Sequence, residues 1–359
     1  MRIRVGWREI LIAFIAVSAG GMLLAWSGLI NVAASGGHWR ITDWFLHWVM
    51  QNSVKTHSTG IVVPDLSNPG LVHRGAGHYQ TGCAYCHGAP DEPQNAAMRR
   101  ATPPPPLLFN VNDKWQPQHL FWIVQHGIKL TAMPGWAATE RDDEIWAMVA
   151  FLRELPNMSA ERYRALAFGD VAFTPIQGER TDALIADCAR CHGRDGAGRP
   201  NDAFPLIGGQ LEGYLVDALR AYADGRRKSG FMQPAAGRGS DEELAVIARH
   251  YASQRPAASK EPINPALVTA GEKIARDGIA GQGVPACLSC HDRAARDRNP
   301  RFPFLDGQHA SYLAGQLRAW RKETRGGGPY AHLMEAIAER LTPEQAEAAA
   351  SYFASRSAQ

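Results

Sequence analysis

Apolar and polar positions along the chain recur at helical spacing, and no alternating strand pattern of any length interrupts them. The stretch 140–155 is typical. Ile145, Met148, Val149 and Leu152 share one face behind an acidic start at Asp142, Asp143 and Glu144. The same outline returns at 240–254 and 342–356, opened by Ser240 and Thr342. Shorter helical segments are expected at 75–81, 181–187 and 268–277. Gly- and Pro-rich loops lie between them, including Pro103 to Pro106. The expected fold class is all-α.

The amino end follows a different pattern. Arg2, Arg4, Arg8 and Glu9 precede 21 uncharged residues, Ile10 to Ile30. At ~1.5 Å per helical residue this stretch crosses the ~30 Å hydrocarbon core of a bilayer. The leading arginines place the amino terminus in the cytoplasm and the rest of the chain outside. A cleaved signal peptide is the alternative, but its apolar region runs only ~7–15 residues, and Val32-Ala33-Ala34 is a poor cleavage site. An uncleaved, single-pass anchor is the expectation. Beyond it, 38–50 holds Trp39, Trp44 and Trp48, with Trp44 and Trp48 on one helical face. Tryptophan favours the membrane–water interface, so a helix lying on the outer face of the membrane is expected. The alternatives are a buried helix of the first globular unit and a docking surface for a neighbouring membrane subunit.

Six cysteines form three pairs, each with two residues between and a histidine directly after. They are Cys83, Cys86 and His87; Cys188, Cys191 and His192; and Cys287, Cys290 and His291. The pairs lie 105 and 99 residues apart, the spacing of repeated small domains. Phe204 to Tyr222 aligns without gaps on Phe302 to Trp320, with nine of nineteen positions identical, whereas the first unit lacks this stretch. The expected organisation is an anchor at 1–35, an interfacial segment and linker at 36–73, and a first unit at 74–156. A linker at 157–177, a second unit at 178–256, a linker at 257–266 and a third unit at 267–359 complete it.

Units of this size hold little apolar material for a core of their own and need a cofactor, metal or disulfide. A disulfide within Cys-x-x-Cys closes a very small loop, restrains little chain and leaves the histidine unexplained. Zinc wants four Cys and His ligands in one place, and each unit is one short. Covalent haem accounts for all three residues, because C-x-x-C-H is its attachment signature. Two thiols on one helical turn reach the two vinyl groups, and the histidine is carried beneath the porphyrin to bind iron. Three covalently bound haem c groups are expected.

Through CAYCH, CARCH and CLSCH the chain resembles a tandem of class I cytochrome c domains over about 75–358. The last two units are similar to the halves of dihaem cytochromes of the c4 type, through the Gly-Gln…Tyr-Leu stretch of the repeat. The first resembles a single-domain bacterial cytochrome c, through HGIKLTAMPGW followed by DDEIWAMVAFLRELP. The resemblance implies a small helical bundle wrapped round each haem, with a methionine as the second axial ligand. Met232 and Met334 are the only methionines that follow the histidine in their units. Met98, Met133, Met148 and Met158 follow His87; Met133, before Pro134 in a loop, is the expected ligand, since Met148 sits on an apolar helix face. The histidine-to-methionine intervals are then 46, 40 and 43 residues, similar enough for one fold. His126 and His332 are rival ligands, while His250 and His309 are expected to have no role at iron.

His/Met ligation leaves no open position for oxygen or peroxide and raises the reduction potential, so such a site exchanges single electrons. No G-x-S-x-G, H-E-x-x-H or phosphate loop is present. Lys plus Arg is 38 against 35 for Asp plus Glu, and a net of only +3 gives no case for a nucleic-acid binder, which would show a concentrated basic face, so no nucleic-acid partner is expected. The expectation is a trihaem electron relay on the periplasmic side of a bacterial inner membrane. Its partners would be a membrane dehydrogenase, a terminal oxidase or a soluble cytochrome. A cytochrome subunit of an alcohol or aldehyde dehydrogenase and an electron-entry subunit of an oxidase are close alternatives. A multihaem peroxidase would need one iron without a firm sixth ligand. An alkaline pyridine spectrum should report three c-type haems per chain, and two or fewer would break the reading of the cysteine pairs.

Overall fold

A computed structural model describes residues 6–90, 92–169, 180–199, 201–255 and 257–357. Among them helices alternate with loops, and isolated bridges stand in place of any sheet. Helix α1 (Trp7–Trp26) is uncharged after Glu9, with a mean hydropathy of 1.9 over an 18-residue window and no residue buried. It stops short of Ile30 because Ser27 caps it and Gly28 takes a φ of 71°. Helix α2 (Arg40–His57) outruns the tryptophan segment that predicted it. Its aromatic face is bare: Trp44 and Trp48 stack at 6.3 Å with 62% and 54% of their surface exposed. Only the far end is docked, where Val54 is buried and His57 meets Trp122 at 5.8 Å.

The first globular unit is built from α3 (Pro69–Gly82), α4 (Pro117–His126), α5 (Asp142–Glu154) and α6 (Ala160–Ala167). Asn68 caps α3 by accepting from the Gly70 amide at 2.7 Å, with Pro69 at the first helical position. Helix α6 lies in the stretch expected as a linker, the remainder of which, 170–177, falls outside the described residues. Ser159 caps it, and Tyr163 is fully buried against Tyr79 and Phe151, with its hydroxyl donating to Gln80 Oε1. One aromatic side chain thus draws a polar segment onto the first core.

The second unit comprises α7 (Arg180–His192), α8 (Glu212–Ala223), α9 (Met232–Ala236) and α10 (Asp241–Ala252). The third comprises α11 (Pro265–Asp277), α12 (Ala310–Arg321), α13 (Ala331–Arg340) and α14 (Pro343–Ser355). Capping boxes at Ser240 with Glu243 and at Thr342 with Gln345 start the two closing helices. The repeat noted in the sequence makes the contact between these units nearly two-fold. Gln210 donates to the Phe304 carbonyl at 3.0 Å and accepts from its amide at 2.9 Å. Gln308, its counterpart, donates to the Leu206 carbonyl at 2.8 Å and accepts from its amide at 3.0 Å.

In the first and third units the opening helix crosses the closing helix at a glycine. A Cβ on Gly75 would strike Phe151 and the Ala147 carbonyl, and one on Gly271 would strike the Ala348 carbonyl. Gly271→Val should therefore force α11 and α14 apart and lower stability by ~1–3 kcal/mol in denaturant unfolding. Unchanged stability would show that the crossing is not close.

Candidate haem sites

Each cysteine pair sits on a tight turn that ends in its histidine. In the first unit Cys83 caps α3, and the turn Ala84–His87 follows, with the His87 amide donating to the Cys83 carbonyl at 2.9 Å. In the second unit the motif is the last turn of α7. In the third it forms Leu288–His291, closed by a 3.0 Å bond from the His291 amide to the Cys287 carbonyl. All six thiols are free and half-buried. Burial pushes Cys83 and Cys188 up to about 12, and Cys191 and Cys287 up to about 11. These four are protonated thiols at neutral pH, not metal-ready thiolates.

The three histidines share one arrangement that the sequence reading did not anticipate. His87 Nδ1 donates to the Pro106 carbonyl at 2.8 Å, His192 Nδ1 to Pro205 at 3.1 Å, and His291 Nδ1 to Pro303 at 2.9 Å. A carbonyl only accepts, so the proton is fixed on Nδ1 and the Nε2 lone pair is left over. Burial lowers the pKa of each imidazole and keeps it neutral. The signal for two of these acceptors was available: Pro205 and Pro303 are matched prolines of the repeat.

In the second unit Cys188, Cys191, His192 and Met232 line one cavity of about 640 Å³. In the third, Cys287, Cys290, His291 and Met334 line a cavity of about 210 Å³. Pro205, Tyr312 and Gln316 belong to the walls of both, so the two sites adjoin. In the first unit Met133 is half-buried in a loop tied back to α4, its carbonyl accepting from the Ile128 amide at 3.2 Å. Met148 and Met158 are instead buried in the apolar core, and Met98 lies on a single turn, Met98–Arg100. His126 and His332 are exposed, and Met334 rather than His332 reaches the third cavity. His250 Nε2 is occupied by the Arg194 carbonyl at 2.9 Å, and His309 Nδ1 by the Ser259 hydroxyl at 2.8 Å. Two thiols on one turn beside an imidazole with a free Nε2 fit a covalently attached haem in each unit.

Residues 70–152 match the family model described as cytochrome c oxidase, cbb3-type, subunit III. A thiosulfate dehydrogenase electron acceptor of Thiomonas intermedia is 36% identical over 172 residues, covering 48% of this chain and 79% of that protein. Cytochrome c4 of Pseudomonas aeruginosa is 37% identical over 171 residues, 47% of this chain and 84% of that protein. The chain belongs to the class I c-type cytochromes. A crystal structure of reduced cytochrome c4 from Pseudomonas stutzeri covers 50% of this cytochrome and 100% of that chain, at 32% identity and a TM-score of 0.45. Membership makes covalent haem c its cofactor and electron transfer its role.

Proposed function

We propose that this cytochrome is a membrane-anchored trihaem relay that passes single electrons between respiratory redox partners. The observation that carries the reading is the threefold recurrence of one donor set: paired thiols, an imidazole pinned through Nδ1 and, on the same cavity wall in two units, a methionine. Cys83 and Cys86, Cys188 and Cys191, and Cys287 and Cys290 would hold three haems. His87 with Met133, His192 with Met232, and His291 with Met334 would be the axial ligands.

Haem c, when bound, supplies a reversible one-electron change at iron. The chain does the rest. The proline carbonyls orient each imidazole and keep its proton off Nε2, and a methionine thioether, as the second protein ligand, would favour ferrous iron and raise the potential. If histidine and methionine both held the iron, substrate would have no place to bind there, which is the reason to read a carrier rather than an enzyme. The shared wall of Tyr312 and Gln316 supports transfer between the second and third sites without a diffusive step.

The bare surface of α1 and the exposed tryptophans of α2 support a single-pass anchor with an interfacial helix after it. Arg8 before the apolar stretch favours a cytoplasmic amino end and haem units on the periplasmic face of the inner membrane. The resemblance of 70–152 to an oxidase subunit and the relatives named as electron acceptors of thiosulfate dehydrogenase support two kinds of partner: a terminal oxidase and a dehydrogenase. Two propionates per haem would turn the bare +3 into about −3, so the partner surface it meets can be basic.

The reduced protein should not change its spectrum under carbon monoxide. Met232→Ala should let one haem in three bind the gas and should lower that haem's potential in a spectroelectrochemical titration. A carbon monoxide shift in the unmodified protein would favour the peroxidase alternative, and an unchanged variant would assign the second iron another ligand.

A further inference from the structure

The loop that carries Met232 is held from outside its own unit. Glu144, in the first turn of α5, is only 3% exposed although it is a carboxylate. Its Oε1 accepts from the Ser229 hydroxyl at 2.6 Å and pairs with Arg141 Nη1 at 3.1 Å. Its Oε2 accepts from the Gly230 amide at 2.5 Å and from Trp136 Nε1 at 3.4 Å. The Ser229 hydroxyl in turn accepts from the Met232 amide at 3.0 Å. A chain of two hydrogen bonds therefore runs from a carboxylate of the first unit to the backbone of Met232.

The contact is reinforced on both sides. Arg141 Nη1 donates to the Lys228 carbonyl at 2.7 Å, and Lys228 Nζ meets Glu140 at 2.8 Å. Phe231 packs edge-on against Trp136 at 5.4 Å and lies tilted against His78 at 5.1 Å. Any side chain at Gly230 would collide with the Trp136 indole, so glycine is what lets the loop lie this close. Trp136 stands three residues after Met133, which brings the two methionine loops face to face. Independently of these bonds, the second cavity is walled in part by Arg74, His78, Arg141 and Glu144 of the first unit. A buried ion pair gains little net stability over apolar packing, whereas three hydrogen bonds at one carboxylate, from Ser229, Gly230 and Trp136, fix a backbone path.

We propose that the first unit completes the second haem site, with Glu144 acting as a positioning residue that holds Met232 through Ser229 and Gly230. The inference rests on the reading of Met232 as an iron ligand. On it, the first and second units form one redox pair rather than tethered modules, with Trp136 and Phe231 in ring contact between their methionine loops.

The test uses the full-length holoprotein, with Glu144→Ala, Glu144→Gln, Ser229→Ala and Met232→Ala compared at equal haem content. The readouts are the far-red sulfur-to-iron band of the ferric protein, carbon monoxide binding by the ferrous protein, and the three potentials. Glu144→Ala and Ser229→Ala should each weaken the band by up to one haem in three, admit carbon monoxide at that haem and shift its potential alone. Glu144→Gln keeps an acceptor for the Gly230 amide and should restore part of the band. Ser229→Ala removes one hydroxyl only, so it decides the matter if Glu144→Ala loses haem through misfolding. Wild-type behaviour in both, with Met232→Ala altering one haem, would overturn the positioning role and leave the ligand intact. Wild-type behaviour in Met232→Ala would overturn the ligand reading on which the inference stands.

Discussion

A neutral imidazole that donates its Nδ1–H to a backbone carbonyl has one nitrogen left, and each unit is arranged around that remaining lone pair. The requirement is demanding locally. The histidine must end a helical turn that also presents two thiols, and a proline carbonyl must come from 12 to 19 residues downstream to meet it. The loops after the motifs follow from this need.

The units meet that requirement with unequal resources. Among the described residues, eighteen buried apolar side chains form the core of the first unit, against six each in the second and third. The first unit recruits α6 and its Tyr163 to reach that size. The other two lean on each other through Gln210 and Gln308, and on the haem that the proposed attachment would place between their helices. Small domains with little core commonly gain their stability from a bound group. The glutamines then serve two ends. They satisfy backbone groups at Leu206 and Phe304, and they hold the two cavities against a common wall.

The parts of the site that were legible in the sequence are those where chemistry demands a particular side chain. Cysteines and histidines at fixed spacing could be read directly, and so could closing helices with acidic or capped starts. Met232 and Met334 could be singled out because no competing methionine follows in their units, and the structure places both on cavities with their histidines. What stayed hidden is what the backbone supplies. The carbonyls of Pro106, Pro205 and Pro303 carry no signature of their own function, since any residue has a carbonyl. Glu144 was hidden for another reason. An acidic residue in the first turn of a helix is explained well enough by the helix dipole, and only the fold brings Ser229 and Gly230 to it. Helix α6 escaped because Tyr163, Leu166 and Ala167, amid polar neighbours, make too short an apolar stripe to register as a period.

Three sulfur-ligated irons per chain is the central claim, and near-infrared magnetic circular dichroism of the fully oxidised protein tests it most directly. The methionine-to-iron charge-transfer intensity, divided by haem content, should correspond to all three haems. Intensity equal to two haems or fewer, with the remainder in the region of bis-histidine or open-site iron, would contradict it.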